Sequence, residues 1–193
     1  MLEGCVPFPA EAAERYRRAG YWRGETLGDL LRRWAENGGE RPAVSGPGRT
    51  MTYAELDAAA DRVAAGLRRL GLRRGERVVV QLPNVVEFPA VVFGLLRLGA
   101  LPVFALPPHR EHEITYLVEH SGAAAYLACA RHGDFDYGQL GAAARKASPA
   151  LRHVILLDAG VATGDNREAE NGGDDGRGCR GDAGAVDLRA ILD

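Results

Sequence analysis

The stretch RVVVQLPNVVEFPAVVFGLLRLGALPVFALPPHR, residues 77–110, decides the fold. Arg77 to Leu82 is a continuous apolar, β-branched run, the kind of strand that is buried on both faces of a parallel sheet. Val85 to Leu98 follows with the apolar spacing of a helix. Pro89 falls in its first turns, so either the first turn is kinked or the regular helix starts near Pro89. Gly99-Ala100 ends that helix, and Leu101 to Leu106 reads as a second strand. The alternation continues: Glu111 to His120 as a helix, Ala124 to Ala128 as a strand, Tyr137 to Lys146 as a helix and His153 to Leu157 as a fourth strand. Strands and helices alternating through short connections predict an α/β fold with a mostly parallel, helix-covered sheet.

Upstream, the pattern is helical with one hairpin. A short amphipathic helix is expected around Glu11 to Arg18. In GETLGDLLRRWAENGG, Thr26 caps a helix with Asp29 three residues on. Leu27, Leu30, Leu31 and Trp34 form its apolar stripe, and Asn37-Gly38-Gly39 ends it. Ala43 to Ser45 and Arg49 to Met51 flank Gly46-Pro47-Gly48 as a hairpin. Thr52-Tyr53-Ala54-Glu55 is a capping-box sequence. It opens a long helix with Leu56, Ala60, Val63, Leu67 and Leu70 on one face, stopped by Gly71.

Downstream of Leu157 the composition changes. Residues 158–184, DAGVATGDNREAENGGDDGRGCRGDAG, are rich in Gly, Asp and Asn and are expected to form a flexible loop, because they offer little apolar surface against ordering entropy. The acidic cluster does not fit an EF-hand, since the sixth position from Asp165 is Glu170 rather than glycine. Residues 185–193 are expected to form a short terminal helix capped by Asp187. The organisation is thus an α/β subdomain over residues 1–157, a loop over 158–184 and a terminal helix.

Bulk chemistry narrows the function. The chain has 193 residues and a formal charge of −2, with 46% hydrophobic and 26% charged residues. This is a globular composition with no electrostatic footprint for nucleic acid or an anionic membrane. Lys146 is the only lysine, so any catalytic lysine would have to be that one. Cys5, Cys129 and Cys179 have no disulfide or zinc spacing, and a reducing cytoplasm is the simplest setting. No basic and apolar leader precedes Cys5, and no apolar run reaches the length of a membrane span.

Few residues carry chemistry on their own. His109, His112 and His120 lie among Glu111, Glu113 and Glu119, but Pro107-Pro108 place His109 before the helix, and zinc needs three or four convergent ligands. Arg110 can pair with a local carboxylate. Gly99 reads as a helix C-cap. Ligands at open parallel sheets sit beyond the carboxyl ends of strands, which singles out Pro83-Asn84 and Pro107-Pro108-His109; Asn84 is also a suitable N-cap for the next helix. Neither G-x-G-x-x-G, G-x-x-x-x-G-K-[ST] nor G-x-S-x-G occurs. No catalytic, cofactor-binding or metal-ligating residue is assigned.

Three segments carry a resemblance. Pro7-Phe8-Pro9 through Tyr16-Arg17, Gly20 and Trp22 to Gly24-Glu25-Thr26-Leu27-Gly28-Asp29-Leu30 is similar to the opening of the aryl-acid branch of the acyl-adenylate-forming superfamily. Met51-Thr52-Tyr53-Ala54-Glu55-Leu56 resembles the first core motif of that superfamily, and Leu98-Gly99-Ala100-Leu101-Pro102-Val103 the second. The extension Phe104-Ala105-Leu106-Pro107-Pro108-His109-Arg110, with Val78-Val79-Val80-Gln81-Leu82-Pro83-Asn84, again resembles the aryl-acid branch, the 2,3-dihydroxybenzoate–AMP ligases and their kin. The likeness runs to about residue 157.

The resemblance implies the N-terminal part of an enzyme that makes an aryl-adenylate from 2,3-dihydroxybenzoate or salicylate and Mg-ATP. Such an enzyme then loads the aryl group on an aryl carrier protein for siderophore or related nonribosomal peptide synthesis. It also implies that the phosphate loop with its lysine, the aryl pocket and the C-terminal lysine lie beyond residue 193, so that this chain holds no cofactor of its own and is inactive alone. The partners expected are the remainder of the ligase and, for the complete enzyme, the carrier protein. Two alternatives stand beside this reading: one half of a split ligase, and a truncated, non-enzymatic remnant whose exposed core-like surface favours self-association or a protein partner.

Overall fold

The computed structural model describes residues 5–158 and 185–192. The expected loop after Asp158 lies outside the described residues. Helix α1 spans Ala10–Arg18 and α2 Leu27–Gly38. Thr26 caps α2 as expected: its Oγ1 accepts from the Asp29 N–H at 3.1 Å, and the Thr26 N–H donates to Asp29 at 2.9 Å. The stripe of α2 is covered unevenly. Leu31 is fully buried, whereas Leu27 and Trp34 stay exposed.

Strands β1 (Pro42–Gly46) and β2 (Arg49–Thr52) pair antiparallel, with Gly48 at a positive φ of 71° in the turn. Helix α3 (Tyr53–Arg69) starts from the Thr52–Glu55 capping box. It buries Leu56, Ala59, Ala60, Val63 and Leu67. Its main neighbour is α4 (Glu87–Leu98). The helices approach closely because Gly94 has no side chain: a Cβ there would lie 2.5 Å from a methyl of Val63.

Pro89 needs no kink. It is the third residue of α4, where its missing N–H belongs to the set that no helical carbonyl would accept. Asn84 is not the N-cap. It is an exposed residue in a bend, and Val86 stands at the cap position without a side-chain hydrogen bond. Gly99 is the left-handed C-cap of α4, at φ 77°.

The central sheet holds β3 (Arg77–Gln81), β4 (Leu101–Phe104), β5 (Ala125–Cys129), β8 (His153–Leu157) and β9 (Ala185–Asp187), in the order β4-β3-β5-β8-β9. Every pair is parallel. Helix α5 (Glu111–Ser121) and helix α6 (Tyr137–Ala147) cover one face, while α3 and α4 cover the other. Val78, Val79 and Val80 are fully buried between the two layers. Each contributes on the order of 1.5–3 kcal/mol by burial.

Two features differ from the sequence reading. A small hairpin, β6 (Arg131–His132) and β7 (Phe135–Asp136), precedes α6. The terminal segment is not one helix: residues 185–187 add a strand to the sheet, and only α7 (Arg189–Leu192) is helical. Val186 alongside Ile155 completes the parallel ladder, so pairing outweighs the weak local helix signal. Asp187 still caps, accepting from the Arg189 N–H at 2.9 Å.

Edge strand β4 is protected. Leu101 and Ala105 donate their N–H groups to Glu76 and Val80 beside it, so Pro102 faces outward, where it offers no N–H to a further strand.

Candidate functional site

In chain order the five strands stand 2-1-3-4-5, so the strand order reverses between β3 and β5. Open α/β sheets receive ligands at the carboxyl end of such a reversal. Here that place is filled by a buried polar network. Gln81, the last residue of β3, is fully buried. Its amide nitrogen donates to the Leu106 carbonyl at 2.8 Å and the His109 carbonyl at 3.0 Å, and lies 3.4 Å from the Pro107 carbonyl. Its amide oxygen accepts from the Tyr126 hydroxyl at 2.5 Å. The parallel register sets Tyr126 beside Val79, which puts it on the same sheet face as Gln81.

Two more groups clamp the same loop. The Tyr137 hydroxyl donates to the Pro107 carbonyl at 2.9 Å. Arg110 Nη1 donates to the carbonyls of Pro107 and His109 at 2.8 and 2.9 Å, and its guanidinium lies 4.0 Å over the Phe135 ring. Arg110 therefore turns back on its own loop. Burial raises the Tyr126 and Tyr137 phenols above their ordinary range, with Cys129 nearby adding to the effect. Burial also pushes the Cys129 thiol up to about 11. All three are neutral near pH 7, and the tyrosines act there as hydrogen-bond donors.

The helix N-termini at this edge already carry carboxylates. Asp136 accepts from the N–H groups of Gly138 and Gln139 at the start of α6. Glu113 accepts from the Arg110 N–H at the start of α5, and that bond holds its carboxyl below the usual range. A phosphate would have to displace both acids, so this edge is no ready anion cradle. The adjoining 710 Å³ cleft mixes both signs, with Arg110, Arg131, Asp134 and Asp136 on its walls.

The other sequence candidates disperse. His109 accepts from the Leu106 N–H at 3.3 Å, and His120 stacks on Tyr116. Among the described residues, no three His, Cys, Asp or Glu side chains stand together as a metal site. Gly99 sits at the amino edge, where β4 begins. A 670 Å³ cleft on that side holds Arg97, whose guanidinium is committed to Asp57 and Asp61. Cys179 lies outside the described residues. Sequence reasoning located the Pro107–His109 turn but missed Gln81, Tyr126 and Tyr137. The available signal was a glutamine closing an otherwise apolar strand, RVVVQ.

The chain and its fold have known relatives. The family described as AMP-binding enzyme matches residues 31–183. A 2,3-dihydroxybenzoate-AMP ligase of Bacillus subtilis is 50% identical over 156 residues, 81% of this chain and 29% of that protein. A salicyl-AMP ligase / salicyl-S-ArCP synthetase of Mycobacterium tuberculosis is 43% identical over 164 residues, 80% of this chain and 28% of that one. Among solved structures, apo MbtA of Mycobacterium smegmatis superposes with a TM-score of 0.73 at 46% identity, covering 79% of this chain and 28% of the other. The chain spans less than a third of the length of these relatives.

Proposed function

The chain belongs to the AMP-binding enzyme family, where it corresponds to the N-terminal segment of the aryl-acid adenylating members, and on that premise we propose that it serves an aryl-acid–AMP ligase as scaffold. The acid is 2,3-dihydroxybenzoate or salicylate, which share a hydroxyl next to the carboxylate. The reaction joins it to ATP, releases pyrophosphate, and passes the aryl group to a carrier-protein thiol in a cytoplasmic siderophore or related peptide pathway. The 50% identity to a 2,3-dihydroxybenzoate-AMP ligase supports this reading most strongly.

Aryl-adenylate formation needs Mg-ATP, which supplies the activating nucleotide and charge neutralisation at the phosphates. The residues of this chain do not fit that group. The helix N-termini at its carboxyl edge are occupied by Asp136 and Glu113, and Arg110 is committed to backbone carbonyls. The segment's part in the reaction is to fix a sheet edge and a rigid loop; on its own it neither adenylates nor binds ATP tightly. The test is pyrophosphate exchange by the ligase assembled around this segment. Exchange that depends on 2,3-dihydroxybenzoate or salicylate, and is weaker with benzoate, is expected. Exchange driven by an amino acid or a fatty acid instead would contradict the reading.

A further inference from the structure

We propose that the amino-edge cleft between α2, α3 and α4 binds a small tetrahedral dianion of the phosphate class. The site lies at the opposite end of the sheet from the Gln81 network, and it does not depend on the ligase reading.

Arg32, Arg68, Arg74 and Arg97 stand on the walls of this 670 Å³ cleft against two carboxylates, Asp29 and Asp61. Both carboxylates are already engaged. Asp29 accepts from the Thr26 N–H at 2.9 Å and the Thr26 hydroxyl at 2.7 Å, and Asp61 accepts from Arg97 at 2.7 Å. Arg32 reaches Asp61 only at 3.7 Å. Among the described residues, the side chains of Arg68 and Arg74 pair with no carboxylate. Arginines near a helix C-terminus often serve its last carbonyls. Here the backbone does that: the N–H groups of Leu70, Gly71 and Leu72 take carbonyls at the end of α3, and those of Gly99 and Ala100 take carbonyls at the end of α4. The cleft therefore holds cations with no internal partner, on a chain whose formal charge is −2.

Two glycines make room for the arginine stems. A Cβ at Gly99 would lie 2.9 Å from Cγ of Arg74, and one at Gly28 would lie 3.0 Å from Cγ of Arg97. The Arg97 side chain is only 8% exposed, and while its terminal nitrogens bond Asp57 and Asp61, its buried Nε–H has no acceptor. A buried donor left unpaired is costly, and an oxyanion seated against the first turn of α2 supplies the acceptor that is missing. That turn also presents the positive end of its helix dipole. The cationic field already acts on Asp29: its two bonds from Thr26 lead in holding the carboxyl below its ordinary value, and the charges of Arg32 and Arg97 add to them. Guanidinium forks match the oxygens of a phosphate. Magnesium-ATP is not the ligand, because no aromatic ring lines the cleft to stack a base and the metal covers the phosphate charge.

The experiment titrates inorganic phosphate into the 193-residue chain at constant ionic strength, with backbone amide and arginine Nε–H signals followed by heteronuclear NMR. Saturable shifts at Gly28, Gly99 and the Arg97 Nε–H are expected, with a dissociation constant in the millimolar range, because ion pairs within reach of solvent are individually weak. Sulfate should compete at the same signals, and chloride at the same ionic strength should not. Arg68→Gln and Arg74→Gln, both at exposed side chains, should each weaken binding about fivefold, the upper end of what such a pair supplies. Arg15→Gln on α1 should leave binding unchanged. Circular dichroism melts check that the three variants fold like wild type. Shifts that rise linearly without saturating would overturn the proposal. So would saturable shifts that map to the carboxyl edge, equal competition by chloride, or binding that survives both Arg68→Gln and Arg74→Gln.

Discussion

At the amino end of β3, Arg77 donates to the Ser121 carbonyl at 2.6 Å and the Gly122 carbonyl at 3.0 Å, and nearby Glu76 pairs with Arg152 at 2.9 Å. At the carboxyl end of the same strand, Gln81 and Tyr126 do the holding with no formal charge. The amino edge is tied by cations within reach of solvent; the carboxyl edge is tied inside by neutral groups, to which exposed Arg110 adds a charged clamp on the loop. Charged ties tolerate water, and solvent and salt weaken them. The neutral network is insulated from both, but it fails abruptly when one member is lost. The molecule therefore guards the geometry of its carboxyl edge more closely than that of its amino edge.

Substitutions at the two edges sharpen this contrast. Gln81→Leu should have the largest effect, about 3 kcal/mol of destabilisation in urea unfolding, since it strands the buried Tyr126 hydroxyl and frees the loop carbonyls. Arg77→Met should cost about 2 kcal/mol, the scale of hydrogen bonds from a charged donor that is half-buried. Tyr137→Phe removes one bond to the Pro107 carbonyl and should cost about 1 kcal/mol, unchanged between low and high salt. Arg152→Ala should cost less than about 1 kcal/mol, because that pair is partly exposed, and the effect should vanish near 1 M salt. A salt-sensitive Tyr137→Phe or a salt-insensitive Arg152→Ala would contradict this difference between the edges.

The smallest effect concerns pH and belongs to the amino edge. Burial, then the charges of Arg152 and Arg145, hold the His153 imidazole below its ordinary value. The folded chain thus binds that proton less readily than the unfolded one, and stability rises with pH over this range. The contribution is complete above about pH 6.5, where an unfolded histidine is neutral, and is lost as pH falls through the depressed folded value. Glu76 follows at more acid pH. Burial opposes its ionisation, but the hydrogen bond from Arg152, the Arg73 N–H and the two arginine charges outweigh that and lower its pKa. His153→Gln should remove the upper part of the acid limb in pH-dependent unfolding and leave the carboxylate part in place.

The legibility of the two edges also differs. Local signals were readable: the Thr26 and Thr52 capping boxes, the left-handed Gly99 and the buried RVVV run all follow from short-range sterics and hydrogen bonding. The carboxyl-edge network was not, since Gln81 and Tyr126 are 45 residues apart and meet only through the β3–β5 register. Strand β9 escaped for the same reason, because a three-residue strand takes its identity from the partner beside it. Asn84 misled because a good capping residue has no effect when the helix begins three residues later.

In the proposed function this segment is scaffold, with the nucleotide chemistry supplied elsewhere in the ligase. Equilibrium dialysis of ATP with magnesium against the 193-residue chain tests it most directly. No saturable binding is expected. A low-micromolar dissociation constant would contradict it and would place a nucleotide site within these residues.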